Sequence, residues 1–248
     1  MVIRDSLTPA ELAQLQAWVG EIELWPAGSH VWGHYAEATA AGPAICRTEN
    51  VSACHAGVRE LVDGPLRDQA SKALGEPATA FKDKINYKQP GGAGFSPHQD
   101  QVAYPGVQRV FSILVAVDAC NSASGCLWLA DGVDSVLPVD DRGVVRADVS
   151  ETLAWRAAEL APGHAVGIDG LAPHYSDANS TDAPRRVLVA SYAPAAEGYG
   201  RDHYYAARAA VMEHATARDG RFRISTLADF QGAEIAPDAT AAGVCTHR

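Results

Sequence analysis

No stretch of the 248-residue sequence stays apolar for the roughly 18 residues that a membrane-spanning helix requires, so no span is expected. Positive charge is scarce as well. Lys and Arg total 20 against 30 Asp and Glu, and the formal charge of −10 argues against nucleic acid and anionic membrane surfaces as partners. The five cysteines (Cys46, Cys54, Cys120, Cys126 and Cys245) are odd in number and show no Cys-x-x-Cys spacing. Neither a disulfide framework nor a thiolate zinc site is expected from them. Met1-Val2-Ile3-Arg4-Asp5 lacks the basic and apolar regions of a signal peptide, which points to the cytoplasm. A phosphate-binding loop is missing too, because Gly91-Gly92-Ala93-Gly94 leads into His98 rather than into a helix. There is no internal repeat and no linker, and oligomeric state is not readable.

What remains is a chain that is 47% hydrophobic, enough for one substantial core. We expect a single domain over 1–248, with a helical layer over about 7–75, a β core over about 80–195, and a helix and tail over about 200–248. Thr8, Pro9 and Glu11 form a capping box for a first helix, with Leu7 and Leu12 at staple positions and Gly20 as its stop. Residues 25–50 read as irregular structure and short strands. Helix returns from Val58 to Leu74, broken at Gly64-Pro65 and ended by Gly75. From residue 80 the period becomes two: Phe81, Asp83, Ile85 and Tyr87 alternate with Lys82, Lys84, Asn86 and Lys88. Val110–Val117 reads as a buried strand. Shorter ones are expected at Cys126–Ala130, Val136–Val139, Ala165–Ile168 and Val187–Tyr192, and a late helix near Arg201–Ala217. Short strands behind a helical layer suggest a mainly β fold, a sandwich or jelly roll braced by helices.

Chemistry concentrates at His98-Gln99-Asp100. Residues i and i+2 of a strand share a face, so both side chains can reach one point, and two imidazoles plus a carboxylate are the ligand set of mononuclear non-haem Fe(II) oxygenases. A His-x-Asp triplet alone is common. His174 is the best third ligand, with a satisfied core histidine as the alternative. Arg185 or Arg186 opens an apolar strand, where a buried guanidinium commonly forks onto a carboxylate; adjacency sends one inward and one outward. A surface ion pair is the competing reading, as a solvated edge strand is for the lysines.

The run from Phe81 to Asp100 (FKDKINYKQPGGAGFSPHQD) and that from Pro173 to Arg186 (PHYSDANSTDAPRR) resemble the phytanoyl-CoA dioxygenase-like family of Fe(II)/2-oxoglutarate oxygenases. Weaker similarity through Arg47-Thr48-Glu49-Asn50 and from Tyr199 to Arg208 extends the resemblance over roughly 7–210. It implies a double-stranded β-helix (a cupin-like jelly roll) with His98, Asp100 and His174 on iron. It also implies Arg185 on the distal carboxylate of 2-oxoglutarate, helped by Ser176 and Asn86. The implied reaction consumes 2-oxoglutarate and O2, releases succinate and CO2, and hydroxylates a substrate C–H; Asp100 disfavours halogenation. Two departures leave the pocket wall open: Pro162-Gly163-His164 stands where relatives carry Pro-Gly-Asp, and Ala130-Asp131-Gly132-Val133-Asp134-Ser135 where they often carry Gly-Ser-His.

Lys82, Lys84, Lys88 and Arg47 stand out in so acidic a chain, and two or three of them in the cavity would suit a small anionic substrate. The Phe81–Lys88 strand looks like the branch related to 2-aminoethylphosphonate dioxygenases, which makes a phosphonate one expectation. A natural-product intermediate is the other, with Trp25 to Tyr35 as lid or wall. His30 and His34 there lack the Glu of a zinc-protease motif. A zinc hydrolase would leave Arg185 unexplained, and a catalytically silent metal- or 2-oxoglutarate-binding module stays open.

Overall fold

The computed structural model describes residues 7–26, 31–104, 106–208 and the backbone of 233–234. Helix α1 (Pro9–Glu23) opens with the expected capping box, Thr8 and Glu11 bonding reciprocally. It runs through Gly20, where a Cβ would meet nothing, because Ile22 beyond it is fully buried and packing overrides the stop signal. The segment over 25–50 is more regular than expected: β1 (Gly33–Thr39) and β2 (Gly42–Glu49) form an antiparallel hairpin. Helices α2 (Ala56–Leu61) and α3 (Arg67–Leu74) flank a widened turn at Gly64-Pro65, and Gly75 caps α3 in the left-handed conformation.

The strands that follow are β3 (Ala78–Lys88), β4 (Phe95–His98), β5 (Phe111–Ala116) and β6 (Leu127–Ala130). After a short helix α4 (Ala147–Ser150) come β7 (Trp155–Ala158), β8 (Ala165–Asp169), β9 (His174–Ser176) and β10 (Arg185–Pro194). Helix α5 is described over 201–208; the remainder of the late helix expected to 217 lies outside the described residues. A two-residue strand β11 (Ala233–Glu234) pairs with β1. Val136–Val139 is not a strand. Only Val139 bridges, to Val145, since Gly, Pro and Asp residues bracket too few apolar positions.

Two antiparallel sheets result, ordered β11-β1-β2-β3-β10-β5-β8 and β4-β9-β6-β7. The larger sheet is covered on one side by α1–α3. Leu15, Val19, Ile22, Val58 and Leu66 pack there on Ile85, Tyr87, Ile113, Val115, Leu188 and Tyr192. Its other side meets the smaller sheet through Leu114, Ala116, Leu129, Ile168, Val187 and Val189. This double cover explains why Phe111–Ala116 is apolar at nearly every position. At about 1.5–3 kcal/mol per buried large aliphatic side chain, the helical face supplies most of the anchoring, and the inward face of β3 is left free for polar groups. β3 lies between β2 and β10, so its lysines do not sit on a solvated edge.

Among the described residues, no helix is long and apolar enough to cross a membrane. Cys46, Cys120 and Cys126 are free, but Cys54 is disulfide-bonded. This bridge qualifies the reading of the five cysteines as forming no disulfide framework.

Candidate metal centre and its two anion stations

His98 and Asp100 converge by a different route from a shared strand face. His98 is the last residue of β4, and Asp100 starts a 3-10 turn (Asp100–Ala103). The fully buried Gln99 pins the corner between them. Its amide donates to Ser135 O (3.0 Å) and Leu171 O (2.5 Å) and accepts from Leu137 N (2.8 Å). His174 opens β9 directly across from His98, with ring centroids 4.2 Å apart. Its Nε2 lies 3.9 Å from Asp100 Oδ1, and ligand atoms of all three residues fall within 4.8 Å of one another.

The donor set suits a divalent metal. Each imidazole turns Nδ1 to the carbonyl two residues behind it, Ser96 O at 2.7 Å for His98 and Ala172 O at 3.0 Å for His174. A carbonyl only accepts, so Nδ1 carries the proton and Nε2 keeps its lone pair for the centre. Ser112 donates to Asp100 Oδ2 (3.2 Å), leaving Oδ1 toward the imidazoles. Burial, then the neighbouring His174, pushes His98 down to about 3. Burial would raise Asp100, but His174, Lys84 and His98 outweigh it and draw the carboxyl down to about 2. Both groups are thus in ligand form at neutral pH.

The three side chains open onto a cavity of about 540 Å³ between the sheets. Leu114, Leu127, Ile168 and Val189 give it apolar walls, while Arg47, Lys82, Lys84 and Asn86 give it a polar one. Arg47 Nε donates to Asn86 Oδ1 (3.1 Å). Lys82 donates to Tyr104 Oη (3.1 Å) and pairs with Glu49 (3.3 Å). Burial opposes its charge, but Tyr104, Tyr204 and Glu49 outweigh that and raise it. Lys84 falls well below the usual lysine range through burial and the nearby Arg47 and Lys82.

A smaller recess of about 50 Å³ shares Asn86, Phe95, Leu114, Leu127 and Ser176 with this cavity. Arg185 and Lys88 meet there. Arg185 Nη2 donates to Gly125 O (2.6 Å), and its buried Nε has no hydrogen-bond partner among the described residues. Lys88 Nζ donates to Ser176 Oγ (2.8 Å), Gly125 O (3.4 Å) and Asp177 O. Gly125 is required: at φ +72° it sits in the left-handed region, and a Cβ would strike Asp177 O and the Lys88 chain. Arg186 faces outward and forks onto Asp118, its Nε and Nη2 at 2.8 and 2.9 Å from the carboxylate. The inward and outward split expected of the pair is what the strand produces.

Other expected wall elements are elsewhere. Trp32 is buried against Trp25, His34 bonds Thr48 (2.8 Å), and Trp25, Trp32, His34 and Tyr35 line neither space; His30 lies outside the described residues. His164 is exposed on a turn, so it adds no polar group to the site. Lys88, grouped with the other lysines but given no place, is the residue that sequence reasoning left unassigned. Its position at the end of the same period-2 series was the available signal. Gln99 and Gly125 carried no such signal, since these partners are 36 or more positions distant.

A jelly roll that gathers two imidazoles, a carboxylate and a buried Arg around one cavity has the architecture of the mononuclear non-haem Fe(II)/2-oxoglutarate oxygenases. Comparisons agree. The family model described as Phytanoyl-CoA dioxygenase (PhyH) matches residues 1–187, and the chain belongs to that family. It is a non-haem dioxygenase dependent on Fe(II), 2-oxoglutarate and O2. It is 38% identical over 232 residues to a methylphosphonate hydroxylase of Gimesia maris, covering 92% of this chain and 89% of that one. It is 33% identical over 210 residues to a 2-aminoethylphosphonate dioxygenase of an uncultured bacterium, covering 82% and 80%. Among solved structures, EctD from S. alaskensis shares the fold with a TM-score of 0.67 at 20% identity, covering 82% of this chain and 76% of that one.

Proposed function

We propose that the enzyme hydroxylates a C–H bond of a small phosphonate, with His98, Asp100 and His174 holding the iron. Arg185 and Lys88 grip the distal carboxylate of 2-oxoglutarate, with Ser176 and Asn86 beside it. Arg47, Lys84 and Lys82 receive the phosphonate. The observation that carries this reading is the placement of these three basic side chains on one wall of the metal cavity in a chain of net charge −10. The two relatives above are named for phosphonates, which supports the same substrate class. The location of Trp25 and Trp32 outside the cavity favours a compact substrate over a large natural-product intermediate.

When bound, iron with 2-oxoglutarate activates O2 for cleavage of the substrate C–H bond, with succinate and CO2 as coproducts. The protein's own part is placement and dryness. Asp100 and the two imidazoles would hold the metal. Charge-assisted hydrogen bonds from Arg47 and Lys82, with Lys84 as a further hydrogen-bonding group, orient the head group, and Leu114, Ile168 and Val189 keep water from the reacting carbon. In a panel of methylphosphonate, 2-aminoethylphosphonate, carboxylate analogues and uncharged isosteres, succinate release should rise at least about tenfold for a phosphonate over the substrate-free rate. Equal rates with the uncharged isosteres would end the phosphonate reading, and no stimulation by any compound would favour a silent binding module.

Lys88 adds a pH signature. Burial, then the adjacent Arg185, draws its ammonium from the usual lysine value down to about 7. Below that pH it is charged and complements a carboxylate; above it, binding must first take up a proton. Affinity for 2-oxoglutarate should therefore fall as pH rises from 6 to 9, by up to about tenfold per pH unit. Anaerobic titration of the Fe(II) enzyme across that range checks this, and Lys88→Met should flatten the profile.

A further inference from the structure

Helix α5 approaches the polar wall from behind. Tyr204 lines the cavity and packs on Phe81 and Tyr104, whereas Arg208, one turn later, does not reach the cavity. Arg208 Nη1 lies 2.6 Å from Glu49 Oε1 and 3.0 Å from Tyr204 Oη. The same Glu49 oxygen is 3.3 Å from Lys82 Nζ. Glu49 ends β2, is 2% exposed, and stands in register with Lys84, two residues from Arg47. Burial would raise its carboxyl, but Arg208, Lys82 and Arg47 outweigh it, Arg208 most of all, and hold it ionised. One buried carboxylate therefore has a choice of cations. If it turned wholly to the cavity side, it would cancel one of the positive groups assigned to the substrate.

We propose that Arg208 is a specificity-determining positioning residue, which draws the Glu49 carboxylate toward α5 and so leaves Lys82 and Arg47 positive toward an anionic head group. The inference rests on the reading of that wall as the phosphonate station and extends it to a residue outside the cavity. Glu49 then acts as a trimmer. It keeps Lys82 fixed between the rings of Tyr104 and Tyr204, each 5.4 Å from Nζ, without neutralising the wall.

The test pairs turnover with equilibrium binding of inorganic phosphate to the metal-free protein. Arg208→Gln should raise both the KM for methylphosphonate and the Kd for phosphate by about tenfold, with kcat and the KM for 2-oxoglutarate within about twofold. Arg208→Lys should stay near wild type. The double variant Glu49→Gln/Arg208→Gln should recover to within about threefold, because a neutral amide cannot cancel the wall. A double variant as weak as Arg208→Gln would mean that Arg208 only packs the helix, and would overturn the proposal. So would phosphate binding that is absent from wild type or unchanged in Arg208→Gln. Should Arg208→Gln not fold, Glu49→Gln alone decides: losing the carboxylate must tighten phosphate, and weakening sinks the idea. If phosphate follows this pattern but no phosphonate stimulates succinate release, the role of Arg208 stands and the phosphonate reading falls.

Discussion

His174→Ala is expected to abolish the visible charge-transfer band that Fe(II) and 2-oxoglutarate give together under anaerobic conditions, and to lower succinate formation by about 10³-fold or more. The expectation follows from geometry. His174 supplies one of the two imidazoles whose Nε2 is left free by a carbonyl held at Nδ1. Alanine removes that donor, and the remaining His98 and Asp100 offer a carboxylate and one nitrogen, too few to hold iron against water and buffer. The fold should survive, because β9 is held by backbone pairing to β4 and β6 rather than by the ring. A variant with an unchanged melting temperature and a persistent band would remove His174 from the metal centre and with it the mechanism proposed above.

Arg185→Ala should be the next most damaging change, raising the Kd for 2-oxoglutarate by about 30-fold or more, which corresponds to the 2–5 kcal/mol typical of truncating one partner of a buried charge pair. Arg185 is 5% exposed, and its Nε has no hydrogen-bond partner among the described residues. A buried cation with an idle donor is costly unless an anion completes it. Arg186→Ala is the control. Its fork onto Asp118 lies on the outer side, so titration should show affinity within about threefold of wild type. If the two variants exchanged these effects, the anchor would have been assigned to the wrong arginine.

Much of this was legible in the sequence, for identifiable reasons. The period-2 pattern of β3 survives because α1–α3 cover one face of that strand while the cavity opens on the other. The unbroken apolar run of β5 survives because both its faces are covered. Adjacency gave the inward and outward split of Arg185 and Arg186, and the family resemblance pointed to Arg185 as the inward one. What stayed hidden depended on distant partners. Gly20 looked like a stop until Ile22 found the core. The corner between His98 and Asp100 is made by Gln99 bonding to residues 135, 137 and 171. The recess at Arg185 depends on Gly125, whose carbonyl accepts from two cations at once.

Strand β3 has one more implication. Its residues advance by about 3.3 Å each, so Lys82 and Lys88 hang about 20 Å apart along a single stiff rod. In the proposal above, the far end serves the cosubstrate, which does not vary, and the near end meets whatever is to be oxidised. Exchanging side chains at positions 82 and 84 would therefore retool substrate choice while Ile85 and Tyr87, pointing the other way, go on holding the helices. A scaffold wired like this can diversify by editing two adjacent rungs of one ladder.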